Sequence, residues 1–110
     1  MISLNQQFKK GVLEILVLKI VNSHDVYGYD LIKQLDEQSS GYFILKEGSL
    51  YPIMYRLEDK GYIESYRTDV GEKRKVPRKY YKITTEGKEA LELMIEEWLE
   101  FQKTVLSMIQ

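Results

Sequence analysis

Ser49, Tyr51, Pro52, Tyr55 and Arg56 are the side chains with recognisable chemistry in the stretch running from Gly48 to Gly61. Read as a helix, this stretch buries Leu50, Ile53, Met54 and Leu57, which recur at i, i+3, i+4 and i+7. The other face then carries flat phenols and a forked guanidinium beside a helix N-terminus, a combination that suits phosphate oxygens and base edges. Ser49 is positioned to cap the helix. Pro52 would fall in the first turn, where a missing N–H breaks no helical bond. Gly61 would end the helix in the left-handed conformation. This is what a DNA-reading helix presents to a groove. It is also what an ordinary amphipathic helix with two exposed tyrosines presents, and the stretch alone does not separate the two.

Catalysis finds little support elsewhere in the 110 residues. There is no Cys, and the single histidine, His24, sits in a turn without a partner and reads as a surface residue. No phosphate-cradling glycine loop and no metal-spaced ligand set occurs. Carboxylates crowd the C-terminal segment, but on the side expected to face water. The expectation is a non-enzyme with no catalytic residue, no metal and no cofactor.

Charge is segregated. The total is only −1, yet residues 67–82 hold seven basic residues against Asp69 and Glu72, a net of +5. Residues 86–110 hold six Glu against Lys88 and Lys103, a net of −4. A basic hairpin followed by an acidic tail says more about partners than the total does. In a DNA-binding reading, Lys73, Arg74, Lys75 and Arg78 bring the hairpin to the backbone or minor groove, and Lys10 and Tyr27 add phosphate contacts.

The elements that would position these residues follow in order. Residues 5–22 read as a first helix, apolar on most of its circumference, which must be covered on most sides. Its apolar core from Val12 to Val21 is interrupted by Glu14 and Lys19 and falls short of the ~20 residues of a membrane span. No small-residue cleavage site follows, so the run is not read as a signal peptide, and a cytoplasmic protein without a membrane partner is expected. Asp25 is a candidate cap for a second helix from about Val26 to Glu37, burying Tyr27, Leu31, Ile32 and Leu35. Tyr42–Leu45 reads as a short strand. The helix described above comes next. Strands over 62–67 and 78–84 then place Ile63, Tyr81 and Ile83 inward and Arg78, Tyr80 and Lys82 outward.

A last helix, capped by Thr84 or Thr85, runs to about Ile109. Leu91, Met94, Trp98, Phe101, Val105 and Met108 form a heptad seam, with Ile95, Leu99, Leu106 and Ile109 as a second stripe beside it. So wide an apolar face marks an interface. A homodimer is expected, with Leu91, Ile95, Leu99, Val105 and Leu106 in its contact. The fold class is α+β, mainly helical with a small β-hairpin. It is a winged helix-turn-helix over 1–84, whose first helix also joins the dimer, followed by a dimerisation helix over 85–110.

Three segments in this order resemble the PadR-like family of bacterial transcription regulators. They are Tyr27-Gly28-Tyr29; Gly48-Ser49-Leu50-Tyr51-Pro52 with Arg56-Leu57-Glu58 and Gly61; and Arg78-Lys79-Tyr80-Tyr81 with Thr84 and Gly87. Lys10-Gly11 also fits. The resemblance covers nearly the whole chain, and the single C-terminal helix looks like the short subgroup. It implies a dimeric repressor that binds palindromic, double-stranded operator DNA. Some members of that subgroup bind planar aromatic drugs between the subunits, stacked on a Trp of the last helix. Trp98 holds a similar place, with Met94 and Phe101 beside it. The residues alone also allow Trp98 to be plain dimer packing. The competing function is a winged helix used only for protein–protein contact, against which the basic hairpin argues.

A salt titration separates these functions. DNA binding should weaken with salt, each neutralised phosphate contributing about −0.9 to the slope of log K against log salt. Replacing Lys73, Arg74 and Lys75 by Ala should flatten that slope and weaken all sequences alike. An unchanged slope would remove the hairpin tip from the interface.

Overall fold

A computed structural model describes residues 4–68 and 78–110, with side chains from residue 6 onward. The elements are α1 (Leu4–Ser23), β1 (Val26–Tyr27), α2 (Gly28–Gln38), α3 (Glu47–Asp59), β2 (Ile63–Thr68), β3 (Arg78–Ile83) and α4 (Thr85–Ile109). The architecture is α+β, as the sequence pattern predicts. Four helices surround an antiparallel sheet of order β1-β3-β2, with Ile63 opposite Ile83 and Thr68 opposite Arg78.

The core is built of aliphatic side chains, Met54 and the ring of Tyr81, and no charged residue among those described is buried. Val17, Leu18 and Val21 of α1 meet Leu31 of α2, Leu50, Met54 and Leu57 of α3, and Ile63 and Tyr81 of the sheet. Alternation along β2 and β3 puts Ile63 and Tyr81 beneath the helices, as period-2 placement requires. The Tyr81 hydroxyl is buried without a hydrogen-bond partner among the described residues. Burial, followed by the nearby charge of Glu58, pushes its pKa up to about 12.

Three boundaries depart from the sequence reading. Val26 and Tyr27 are not helical. They form β1 and pair with Tyr81 and Tyr80 on the free edge of β3. The helix therefore opens at Gly28, and Asp25 does not cap it; its carboxylate accepts the Tyr66 hydroxyl at 2.6 Å. Tyr42–Leu45 is not a strand. It lies against α1, away from the sheet, with the Lys9 ammonium 4.6 Å from the Tyr42 ring centre and Leu45 buried in the core. Backbone–side-chain bonding replaces a ladder here, because the Phe43 N–H donates to the Ser39 hydroxyl.

Finally, α3 begins at Glu47 with Lys46 as its N-cap, so Ser49 lies inside the first turn and caps nothing. The Lys46 carbonyl accepts the Ser49 and Leu50 N–H groups, and Glu47 puts an anion where the helix dipole favours one. Pro52 then falls beyond the first turn and leaves the Gly48 carbonyl without its helical donor. Gly48 is exposed, so water can serve that carbonyl. Gly61 ends the segment at φ +77°, as expected.

Thr84 is the cap of α4. Its hydroxyl accepts the Gly87 N–H at 3.0 Å and donates to the Gly61 carbonyl at 2.6 Å, tying the end of α3 to the start of α4. The fit leaves no room for a side chain at Gly87: an added Cβ would overlap the Tyr62 carbonyl and lie 2.8 Å from Ile83. Gly87→Ala should therefore cost roughly 1–3 kcal/mol, as overpacking does. Urea unfolding should show it as a lower midpoint with an unchanged slope, and an unshifted midpoint would refute the close packing.

Candidate nucleic-acid interface

α3 is oriented by what it buries. With Leu50, Ile53, Met54 and Leu57 in the core, Ser49, Pro52, Tyr55 and Arg56 are left exposed, Tyr55 by 56%. Tyr51 sits at the edge of this face and is half-buried. Its hydroxyl reaches the backbone of Gly28, where an added Cβ would lie 3.4 Å away. Partial burial, and then the charge of Glu47, raise its pKa, so the phenol remains a hydrogen-bond donor. The Tyr51 and Tyr55 rings stack, with centroids 6.4 Å apart and planes 27° from parallel.

Arg56 is held across the fold. Its Nε donates to Glu14 of α1 at 2.9 Å, and Lys60 lies 3.8 Å from the other oxygen of the same carboxylate. It pairs with neither Glu58 nor Asp59, the local partners that its sequence position suggests; Glu58 instead accepts the Ser65 hydroxyl. Lys10 of α1 lines a groove with Ser49, Pro52 and Arg56, so the predicted phosphate contact Lys10 and the predicted groove-facing Arg56 flank the same helix face.

The sheet supplies a second aromatic surface. Tyr27, Tyr80 and Tyr66 stand side by side on β1, β3 and β2, with ring centroids 6.0 and 5.8 Å apart. The Arg78 guanidinium lies 5.0 Å from the Tyr27 ring centre, within cation–π range. Asp25 orders the row by accepting the Tyr66 hydroxyl, and this hydrogen bond is the main reason the Tyr66 pKa is raised. Tyr66 and Tyr80 are absent from the sequence-derived site. The outward placement of Tyr80 was legible, but the row was not, because it needs the β1 pairing. Lys73, Arg74 and Lys75 lie outside the described residues.

The predicted ligand residues also come together. Met94, Trp98 and Phe101 of α4 face Gly11, Glu14 and Ile15 of α1 across a cleft of about 510 Å³. Glu97 lines it as well, whereas Glu100 does not. The proposed dimer set divides. Leu91 is fully taken up by the protomer's own core, and Ile95 packs against it. Leu99, Val105 and Leu106 are exposed. Among the described residues, no helix is long and apolar enough to cross a membrane, and no group of three or more His, Asp or Glu could hold a metal.

A three-helix head, a β-hairpin and a flanking short strand define a winged helix-turn-helix protein. Residues 17–93 match the family model of the transcriptional regulator PadR-like family, and the chain belongs to that family. A transcriptional regulator from Clostridium thermocellum superposes with TM-score 0.85 at 29% identity, covering 94% of this chain and 99% of that one. A PadR-like transcriptional regulator from Bacillus cereus strain ATCC 14579 gives TM-score 0.78 at 36% identity, over 94% and 97%. The negative transcriptional regulator PadR of Bacillus subtilis (strain 168) is 28% identical over 88 residues. That match takes in 80% of this chain and 45% of the relative, so the chain spans about half of that protein's length. The protein is thus a DNA-binding transcriptional regulator. The family and these relatives are transcriptional regulators, not enzymes.

Proposed function

We propose that the protein is a homodimeric repressor that sets α3 of each subunit into successive major grooves of a palindromic operator and is released by a planar aromatic ligand. The observation that carries this reading is the uncovered face of α3. Pro52, Tyr55 and Arg56 project from it, flanked by Lys10 on one side and the Tyr27–Arg78 pair on the other. The repressing sense rests on the negative transcriptional regulator PadR as a relative. Residues 1–84 act as the reading head and 85–110 as the dimerisation helix, and the work is done in the cytoplasm, where the operator is. Half-sites one helical turn apart demand reading helices ~34 Å from each other.

Dimerisation through α4 has support in its exposure. Every residue from Glu96 to Gln110 is exposed, including Leu99, Phe101, Val105, Leu106, Met108 and Ile109. A second copy would bury this stripe and close the mouth of the Trp98 cleft, whose aromatic walls and two carboxylates suit a flat cation.

Two measurements test the proposal. Tyr55→Ala should reduce preference for the operator over random DNA by roughly 1–3 kcal/mol if the phenol reads a base, with non-specific binding retained. Equal losses on both DNAs would reduce Tyr55 to a backbone contact. Leu99→Lys should yield monomers or insoluble protein by light scattering, and a wild-type protein that is a folded monomer at micromolar concentration would overturn the dimer.

A further inference from the structure

One side chain belongs to two clefts at once. Glu14 borders both the α1–α4 cleft beside Trp98 and the α1–α3 groove beside Arg56, and among the described residues no other lines both. Its side chain is 26% exposed. One oxygen accepts the Arg56 Nε–H at 2.9 Å, and the other is 3.8 Å from the Lys60 ammonium. Glu97, the second carboxylate of the Trp98 cleft, makes no ion pair among the described residues and does not line the α1–α3 groove.

We propose that Glu14 is a positioning residue that couples occupancy of the Trp98 cleft to the reading helix: a planar aromatic cation bound there takes the carboxylate from Arg56 and Lys60. The inference rests on the ligand reading of that cleft and adds the route by which the ligand acts. Arg56 and Lys60 are about half exposed, so water can replace Glu14 as their partner at little cost. With the cleft mouth closed by a second copy, as in the proposed dimer, a cation between Trp98, Phe101, Met94 and Ile15 has no such replacement, because the lining is apolar except for Glu14 and Glu97. The carboxylate therefore turns toward the cleft when a cation arrives. α3 then loses its ionic tie to α1, and Arg56 leaves the position in which the fold holds it. The ligand prefers the untied state and DNA the tied one, and that difference is what lets the ligand shift the equilibrium. A neutral molecule of the same shape fills the cleft without drawing the carboxylate.

The test compares N-methylquinolinium with quinoline at neutral pH, where quinoline carries no charge. Fluorescence of Trp98, the sole Trp, reads cleft binding. Release of a DNA fragment that the protein has selected from a random pool reads the coupling. Both compounds should quench Trp98 saturably in the wild type, and only the quinolinium should release DNA strongly. Glu14→Gln removes the ionic tie, so it should weaken DNA binding before any ligand is added, weaken quinolinium binding several-fold, and leave the remaining DNA binding unresponsive even at saturation. Glu97→Gln should weaken binding similarly yet retain full release at saturation, which separates the coupling role from simple charge attraction. Full release by saturating quinolinium in Glu14→Gln would overturn the coupling and leave the ligand site standing. Quenching without release in the wild type would overturn ligand control through this cleft. No quenching in the wild type would overturn the ligand reading itself, and the coupling with it.

Discussion

Everything in this fold depends on how α3 is seated. Its four apolar residues Leu50, Ile53, Met54 and Leu57 are covered by α1, α2 and the sheet, and truncating a residue of this kind costs roughly 2–5 kcal/mol. That is a large share of the stability of a domain this size. The helix can therefore neither roll nor slide, and the direction in which Tyr55 and Arg56 project is a consequence of the core. The reading face owes its definition to what lies behind it.

The same seating explains the neighbouring contacts. With Tyr51 pressed on the backbone of Gly28, α2 and α3 meet closely at the edge of the face. With Thr84 bonded to the Gly61 carbonyl, the exit of α3 is tied to the entry of α4. Glu14 makes the remaining link by joining α1 to Arg56 and Lys60. The first two links are tight or buried. The last is an exposed ion pair, which is the weakest kind and the easiest to exchange. In the proposed ligand-released repressor, one such exchangeable link joins the apolar cleft to α3.

α4 shows the opposite condition. Its first turns are capped and anchored by Gly87, Leu91 and Ile95, and from Glu96 onward the helix carries an uncovered apolar stripe. The molecule extends to 58 Å along its long axis, against 24 Å along its shortest. A stripe of this kind is what an interaction surface looks like.

Much of this was determined by the sequence alone. Period-3.6 spacing picked out the buried stripe of α3. Alternation oriented Ile63, Tyr81 and Tyr80, and Thr84 with Gly87 marked the start of α4. These signals are local, so they survive without knowledge of the fold. What only the tertiary structure decided depends on distant partners. Val26 and Tyr27 are a strand because β3 offers them a free edge, and Tyr42–Leu45 is not one because α1 offers none. Ser49 lost the cap because α3 starts earlier, at Glu47. Leu91 belongs to the protomer core because Gly87 lets α4 approach Tyr62 and Ile83. Arg56 found Glu14, 42 positions away, in place of the carboxylates beside it, because helix packing and not chain proximity determines which charges meet.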